Sequence, residues 1–541
     1  MRTQSTDPGR RRVALALLLA TASTTTACAP LVDVHQTAAE VRASVQAPTV
    51  RGGEATVVLD SEPDELDPTT ASTLTSRQVF INMCEKLYDL DDAVRVVPQL
   101  ATALPAVSPD GLQLTIPLKP GVRFNDGTPF DAEAVKRSLD RHRTLDGSAR
   151  RTELSAVAGV DVVDPLTVRV RLSRPYAPLA GMLADRAGMV LSPAALDRLG
   201  EDFADNPVCV GPYTFGERVA QDRIVLRRSD FYYGRDQTKL DRLVYRFVGD
   251  DNVRTANLRS GEYDVMWEVP APQVPLISRE PGLVLLNTPS LQYWGINVNI
   301  RNVGGETGHV PGPLANDPRV REALALAIDR ETLNEITFNG LYQPACGPIP
   351  DISEFATPKT QACPPYDLDR ARRLLAEAGV RTPIRVEMTL ANDTSTMQAG
   401  QVIQAMAAQA GFEVVLRPSE LTTALSDSRS GNFQLYAGGW SGRSDPDGNI
   451  ASFHTADGSH NYSGYSTPET DALIERAAAE QDPAVRSALY ERVVADLQAA
   501  NGLIYLYRQQ YYTAHTDRMA GVTVHPDGLV RMQHAGFVEG S

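Results

Sequence analysis

Residues 110–135 read DGLQLTIPLKPGVRFNDGTPFDAEAV and combine apolar alternation, a turn and a helix start in one stretch. The pattern predicts two strands, a turn at the NDG triplet, and a helix that Asp131 caps. Downstream, VAGVDVVDPLTVRVRL at 157–172 alternates as a hairpin that turns at Asp164-Pro165. Together these segments predict a self-contained α+β unit inserted between parts of something larger.

On both sides of this unit the sequence predicts larger α/β elements. EATVVLD at 54–60 is a β-branched strand, and strand, helix and strand follow one another between residues 384 and 418, which favours a parallel α/β lobe. DPRVREALALAIDRETLNEI at 317–336 has helical apolar spacing that turns one face inward, through Val320, Leu324, Ala327 and Ile328. A chain of 541 residues is too long for a single core, so two or more lobes are expected.

The charge of the chain excludes whole classes of partner. Its 52 Lys and Arg against 67 Asp and Glu give a formal net charge of -15. This negative field repels phosphate backbones, so nucleic acid is not expected as a partner.

The first 28 residues have the pattern of an export signal. Arginines at 10–12 precede an apolar block at 13–22 and a Thr/Ser/Ala run, a block about half as long as a membrane-spanning helix requires. Small residues before Cys28 resemble a bacterial lipobox, although Thr25 stands where Leu is usual. We expect residues 1–27 to be a signal peptide, Cys28 to carry a lipid, and residues 28–50 to be a flexible tether that holds the protein at the outer face of the cytoplasmic membrane.

Four cysteines remain after such a signal is removed, an even number in an oxidising compartment. Cys346 and Cys363 lie 17 apart in a Pro-rich stretch, where a disulfide would close a loop. That pairing leaves Cys84 with Cys209. Two other pairings, and buried free thiols, remain open at this stage.

Motifs of catalysis and of nucleotide binding are absent from the sequence. It contains no G-x-x-x-x-G-K-[ST], G-x-S-x-G, H-E-x-x-H or G-x-G-x-x-G. His454 and His460 are irregularly spaced for a metal site, and the SDPDGN run at 444–449 departs from a calcium loop. We therefore expect neither an enzyme nor a bound metal or cofactor.

Six segments occur in an order that resembles one known family. They are ELDPTTAS at 65–72, the stretch 110–135, NPVCVGPYTF at 206–215, LRSGEYD at 258–264, DPRVREALALAID at 317–329 and DLDRARRLLAEAG at 367–379. The chain resembles, from about residue 54 to 510, the family 5 extracytoplasmic solute-binding proteins of bacterial ABC importers, which include dipeptide-, oligopeptide- and nickel-binding lipoproteins.

The resemblance implies an α/β periplasmic-binding-protein-like fold with two lobes, an extra α+β subdomain and two hinge crossovers. We expect the first lobe to comprise residues 51–80, 190–290 and 501–541, the subdomain residues 81–189, and the second lobe residues 291–500. The implied protein is a monomer that captures a peptide in the interlobe cleft and passes it unchanged to a membrane permease.

In the resembled family a carboxylate three residues after a Gly-Trp pair binds the peptide ammonium. Gly439 and Trp440 are present here with Ser441, but Arg443 stands where the carboxylate is expected. Asp445 on the same loop is either its substitute or a turn residue before a proline. Arg443 is either a carboxylate-binding group in the cleft or a charge paired with Asp445 or Asp447.

The resemblance also indicates the length of the ligand and the aromatic lining of the cleft. LANDTSTM at 390–397 lacks the arginine with which strict dipeptide binders hold the ligand's C-terminus, so oligopeptides are favoured. Trp440 matches the pocket aromatic, while Trp267 and Trp294 either line the cleft or lie in the lobe cores. Weaker ligand-binding candidates placed by the resemblance are Tyr293, Asn461 and Tyr465.

Two other functions stay open on the sequence. Because the loop after the Gly-Trp pair departs from the family pattern, the solute could instead be haem, glutathione or a metal chelate. A protein from another class, a ligand-less envelope scaffold that kept the fold, is the second alternative.

Overall fold

The computed structural model describes residues 47–540, so the predicted signal peptide, Cys28 and most of the tether lie outside the described residues. A seven-stranded sheet defines the first lobe. Its strands are, in spatial order, Leu283–Pro289, Gln510–Thr516, Val265–Met266, Glu54–Leu59, Arg242–Phe247, Arg223–Arg228 and Tyr213–Val219. The strand Glu54–Leu59 runs parallel to both neighbours. Its residues Ala55, Val57, Val58 and Leu59 are fully buried, so this strand is the centre of the first core.

A six-stranded sheet defines the second lobe. Its strands are, in spatial order, Gln343–Pro344, Leu503–Arg508, Tyr293–Val298, Leu435–Trp440, Ile384–Ala391 and Phe412–Ser419. The pair Ile384–Ala391 and Phe412–Ser419 is parallel, with the helix Thr394–Ala410 between the two strands. This confirms the predicted strand-helix-strand unit.

The inserted unit is a four-stranded antiparallel sheet with the strands Ala106–Val107, Gln113–Pro117, Thr167–Leu172 and Val157–Asp164. The predicted hairpin is present, and Asp131 caps the helix Ala132–Thr144 by accepting a hydrogen bond from the Ala134 N–H at 3.0 Å. The second strand expected before the NDG turn is reduced to an isolated bridge between Arg123 and Pro129. Short two-stranded pairs complete the strands: Tyr88–Leu90 with Val96–Pro98, Asn302–Val303 with Glu306–Thr307, Met519–Ala520 with Gly536–Phe537, and Thr523–Val524 with Val530–Arg531.

Helices pack on the sheets of both lobes, and many begin at an aspartate whose side chain accepts a backbone N–H of the first turn, as Asp367 does from Arg370 at 2.8 Å. The predicted inward positions of the helix Pro318–Leu326 and its end are buried. The helix Leu74–Phe80 is short, because the residues after it pair with other segments. The remaining α-helices are Leu179–Met182, Pro193–Leu199, Asp251–Ser260, Val274–Ile277, Pro313–Asn316, Arg330–Phe338, Leu368–Glu377, Leu421–Arg429, Asp447–His454, Pro468–Ala479 and Pro483–Ala500.

The chain crosses between the two sheets twice. Leu283–Pro289 belongs to the first sheet and Tyr293–Val298 to the second, while Leu503–Arg508 belongs to the second and Gln510–Thr516 to the first. Residues 290–292 and 509 are therefore the crossovers. The expected boundary at 500/501 is wrong, because Leu503–Arg508 pairs with Tyr293–Val298 in the second lobe. An apolar strand fits either sheet, so its sequence does not select a partner. The other boundaries stay predictions.

Two disulfides join the four cysteines of the described chain. Cys346 is bonded to Cys363, and Cys84 to Cys209. This is the pairing that the position of Cys346 and Cys363 in a Pro-rich stretch favoured. The bond between Cys84 and Cys209 fastens the segment after the first helix to the segment that enters the strand Tyr213–Val219.

Candidate functional site

A short loop at residues 441–446, which we call the anchor loop, follows the edge of the strand Leu435–Trp440. Asn449 fixes its shape: its Oδ1 accepts hydrogen bonds from the Arg443 N–H at 2.7 Å and from Trp440 Nε1 at 3.1 Å. Gly442 has a positive φ of 74°, and a side chain there would collide with the Leu291 carbonyl at the crossover. The loop is therefore held rigidly against the junction of the lobes.

Arg443 reaches from the anchor loop into the inserted unit. Its Nε lies 3.2 Å from Asp185 Oδ2, and its Nη2 lies 3.3 Å from Glu153 Oε1. The guanidinium carbon is 4.5 Å from the centroid of the Trp440 ring, and the residue is 5% exposed. Neither predicted partner, Asp445 nor Asp447, is the one found. Arg443 is instead a buried charge that joins the second lobe to the inserted unit.

Asp445 faces away from this contact, into the second lobe. Its two oxygens lie 2.7 and 2.8 Å from the two terminal nitrogens of Arg486, on the helix Pro483–Ala500. The helix Asp447–His454 begins just beyond Asp445, which also accepts a hydrogen bond from the Asp447 N–H at 2.9 Å. Asp445 thus has a bidentate partner within the protein, and its role as a ligand anchor stays a prediction.

Asp447 makes a second contact across the cleft. Its Oδ2 accepts a hydrogen bond from the Tyr176 hydroxyl at 2.7 Å. Burial, with repulsion from Asp445, raises the pKa of Asp447 to about 6. This carboxyl group therefore loses part of its charge in weak acid.

Four arginines surround Asp185 and Glu153, and we call these six residues the arginine cluster. Arg77 Nε donates to Asp185 Oδ1 at 3.1 Å, and Arg150 Nη1 donates to Glu153 Oε1 at 2.9 Å. Arg186 donates to the Ala71 carbonyl at 2.9 Å, and Arg443 completes the set. Burial alone would raise the pKa of Asp185, but the guanidinium groups hold that pKa well below its usual range.

The three tryptophans have different surroundings. Trp440 is half-buried, with ring centroids of Phe453 at 5.1 Å and His460 at 5.3 Å, and it adjoins Arg443. Trp267 is 1% exposed and donates from Nε1 to the Gly528 carbonyl at 2.8 Å, so it lies in the core of the first lobe. Trp294 stacks on Tyr507 at 5.7 Å between ring centroids.

The remaining predicted residues have local structural partners. Tyr293 is 2% exposed and packs on Tyr505, and Asn461 donates to the carbonyls of Thr455 and Tyr465. Tyr465 lines a surface hollow of about 890 Å³ on the second lobe.

Ser441 accepts a hydrogen bond from Arg77 at 3.4 Å. A side chain at Gly439 would lie 2.5 Å from the Trp294 ring. Ser441 and Trp440 therefore adjoin the arginine cluster, while Asn461 and Tyr465 are located elsewhere on the second lobe.

Glu268 is a further residue at the junction that sequence reasoning missed. It follows the strand Val265–Met266 with a positive φ of 49°, and its Oε1 is buried without a hydrogen-bond partner in the described part of the chain, residues 47–540. Burial and repulsion from Asp60, opposed by Arg254, raise its pKa to about 8. The charge of Glu268 also acts on Tyr342 and Tyr511, which approach from the two lobes. The signal available in the sequence was an acid flanked by apolar residues, in VMWEVP.

Two lobes joined by two short crossovers, with charged contacts between them, define a class of protein that encloses a solute in the cleft. The chain belongs to the bacterial extracellular solute-binding proteins, family 5, whose middle region matches residues 95–461. The predicted family and two-lobed fold are thus confirmed. Among residues 47–540, none of the helices has both the length and the apolar character to cross a membrane.

Relatives match almost the whole chain. The glutathione-binding protein GsiB of Pectobacterium atrosepticum is 29% identical over 511 residues, 92% of this chain and 96% of the relative. The binding protein AgaA of A. tumefaciens R10, solved in complex with agropinic acid, is 25% identical with a TM-score of 0.77, over 90% of this chain and 99% of that one. DppA of Helicobacter pylori, solved with the peptide STSA, is 22% identical with a TM-score of 0.80, over 91% and 99%.

Proposed function

We propose that the protein is the receptor of an ABC importer, which captures a peptide or peptide-like solute between its lobes and delivers it to a membrane permease. The observation that carries this proposal is the position of Arg443: a side chain of the second lobe is buried against Asp185 and Glu153 on the other side of the cleft. Such a contact forms when the lobes approach each other. A solute caught between them would be enclosed and released unchanged.

The same proposal includes the location of the protein. The Cys28 lipid would anchor a monomer to the outer face of the cytoplasmic membrane, next to the permease, and residues 28–50 would give it reach. We propose no catalytic step, because binding and release need only groups that replace the solute's hydration.

Two kinds of solute are favoured, one by the sequence and one by a relative. The absence of an arginine in residues 390–397 supports oligopeptides over dipeptides. The 29% identical glutathione-binding relative supports a second candidate, the tripeptide glutathione. Haem, a metal chelate and a ligand-less scaffold remain alternatives to a peptide ligand.

Titration calorimetry of the mature protein with glutathione and with di- to hexapeptides tests the proposal. We expect saturable binding of at least one of these solutes with a negative heat-capacity change, since closure buries apolar surface. Haem, followed by its absorbance, serves as the non-peptide comparison. Saturable binding of haem with no heat from any peptide would contradict a peptide ligand, and no binding of any solute would favour the scaffold.

A further inference from the structure

The arginine cluster carries more positive than negative charge in a buried place. Arg77, Arg150, Arg186 and Arg443 are 2 to 5% exposed, and Asp185 is 6% exposed. The Glu153 side chain is 14% exposed. Four guanidinium groups against two carboxylates leave an excess of two positive charges. Because an unpaired buried charge is strongly unfavourable, such an excess calls for an anion.

Nearby acids do not supply the missing negative charge. Asp527 is the further acid that acts on Arg77, but its Oδ2 is bound by Arg531 at 2.9 Å. Arg531 also binds Asp89, which Lys86 binds at 2.6 Å, so these two acids and two bases neutralise one another. The excess charge of the arginine cluster is therefore not cancelled by this neighbouring group.

Polar atoms inside the cluster are also unsatisfied. Two donors, Arg150 Nε and Arg186 Nε, are buried without a hydrogen-bond partner among the described residues. Two acceptors, Glu153 Oε2 and Asp185 Oδ2, are likewise without a hydrogen bond, although Asp185 Oδ2 lies 3.2 Å from Arg443 Nε in an ion pair. Burial, and then repulsion from the other three arginines, holds the pKa of Arg186 well below its usual value despite the attraction of Asp185. The donors among these atoms are Arg150 Nε and Arg186 Nε, and the oxygens of one carboxylate could accept hydrogen bonds from them.

The cluster is assembled from both sides of the cleft. Arg77 belongs to the first lobe, Arg150 and Arg186 to the region of the inserted unit, and Arg443 to the second lobe. An anion that enters between open lobes would meet three of the guanidinium groups first, and Arg443 would arrive on closure.

We propose that the solute carries a carboxylate, which the arginine cluster binds as the lobes close. This rests on the proposed function and narrows its substrate class to peptide-like solutes with a free carboxylate. Glutathione, with two carboxylates and one ammonium group, belongs to this class. In the resembled family, this loop carries the acid that binds the ammonium group of the ligand. Here Arg443 stands on the same loop, and with the rest of the cluster it would bind an acidic group of the solute.

Matched ligands that differ in one charge test the inference. Calorimetry would compare glutathione with its monoethyl and diethyl esters, and tri-alanine with tri-alanine amide. We expect the free acid of at least one series to bind about 100-fold more tightly than its fully esterified or amidated form, because losing one partner of a buried charge pair costs several kcal/mol. Equal binding of the free acids and of their ester or amide forms would overturn the carboxylate site and leave the proposed function intact. Binding by neither series would contradict both.

A pair of variants separates ligand binding from a structural role. Arg186→Gln should lose most of the preference for the acid, yet melt no lower than the wild type, because it relieves part of the positive excess. The control is Arg321→Gln: Arg321 is equally buried, at 4% exposure, and donates to the Ala500 and Leu314 carbonyls of the second lobe. It should keep the preference.

If Arg186→Gln keeps the full acid preference, the cluster is not the carboxylate site. Should that variant fail to fold, Arg77→Gln is measured in its place, and retention of the preference there would overturn the proposal equally.

Discussion

Replacing Asp185 by asparagine is expected to destabilise the protein by about 3–5 kcal/mol, since it removes the central acid from between four buried guanidinium groups. Glu153 would then be the remaining carboxylate of the arginine cluster. In the open, ligand-free protein Asp185 still faces Arg77, Arg150 and Arg186, so urea unfolding of that form measures the loss as a lower midpoint with an unchanged slope. The matched control is Asp197→Asn, which breaks an exposed ion pair with Arg137 and should change stability little.

The pH dependence of the Asp185 effect has a defined sign. The folded-state pKa of this carboxyl lies below its unfolded value, so its contribution is complete above the unfolded pKa of about 4. It declines as the pH falls below that value, when the unfolded chain takes up the proton first. A variant as stable as the wild type at pH 7 would show that the arginine cluster does not need this acid.

Replacing Glu268 by glutamine is expected to stabilise the protein by about 3–5 kcal/mol at pH 9 and to have little effect near pH 4. Its folded-state pKa of about 8 lies above the usual value, so the folded protein holds a proton that the unfolded chain has released. The stability of the wild type should therefore fall as the pH rises from about 4.5 to 8. Above pH 8 the difference between variant and wild type should be constant.

Urea unfolding at several pH values, with the exposed Glu262→Gln as control, measures the Glu268 effect. The groups that face Glu268 are Asp60, Arg254, Tyr342 and Tyr511. In both variants, the slope of the unfolding free energy against urea concentration should equal that of the wild type. Equal destabilisation by Glu268→Gln at every pH would contradict this account. It would show that the wild-type Glu268 carboxylate has a structural partner and is not a strained, protonated group.

Periodic and short-range signals in the sequence predicted much of the fold. The helix that begins at Pro318 has its apolar spacing on one face, and the parallel pair at 384–391 and 412–419 follows from a strand-helix-strand pattern. Spacing in a Pro-rich loop also indicated the bond between Cys346 and Cys363. In each of these cases the information lies within a few turns of chain.

Long-range pairing accounts for what the sequence did not predict. The strand Leu503–Arg508 is apolar enough for either sheet, and its partner, Tyr293–Val298, lies some two hundred residues away in the chain. Asp445 was chosen as an anchor because it is the nearest carboxylate on the loop, but Arg486, from another helix, binds both of its oxygens. A bidentate partner 41 residues away leaves no local signal.

The arginine cluster was missed for the same reason. Its members come from residues 77, 150–153, 185–186 and 443, and each one alone is an ordinary charge in a polar segment. Their meeting depends on the lobes and on the inserted unit being folded. The substitution of Arg443 at the position where the resembled family has an acid was the one sequence feature that pointed to it.

Small-angle X-ray scattering with and without the tightest solute of the calorimetric panel tests most directly whether the two lobes clamp that solute. The bound protein should match the scattering of the structure with Arg443 buried, and the free protein should have the larger radius of gyration. Mass spectrometry of the released solute should return its original mass. Identical profiles in the free and bound states, or a solute of altered mass, would contradict the account.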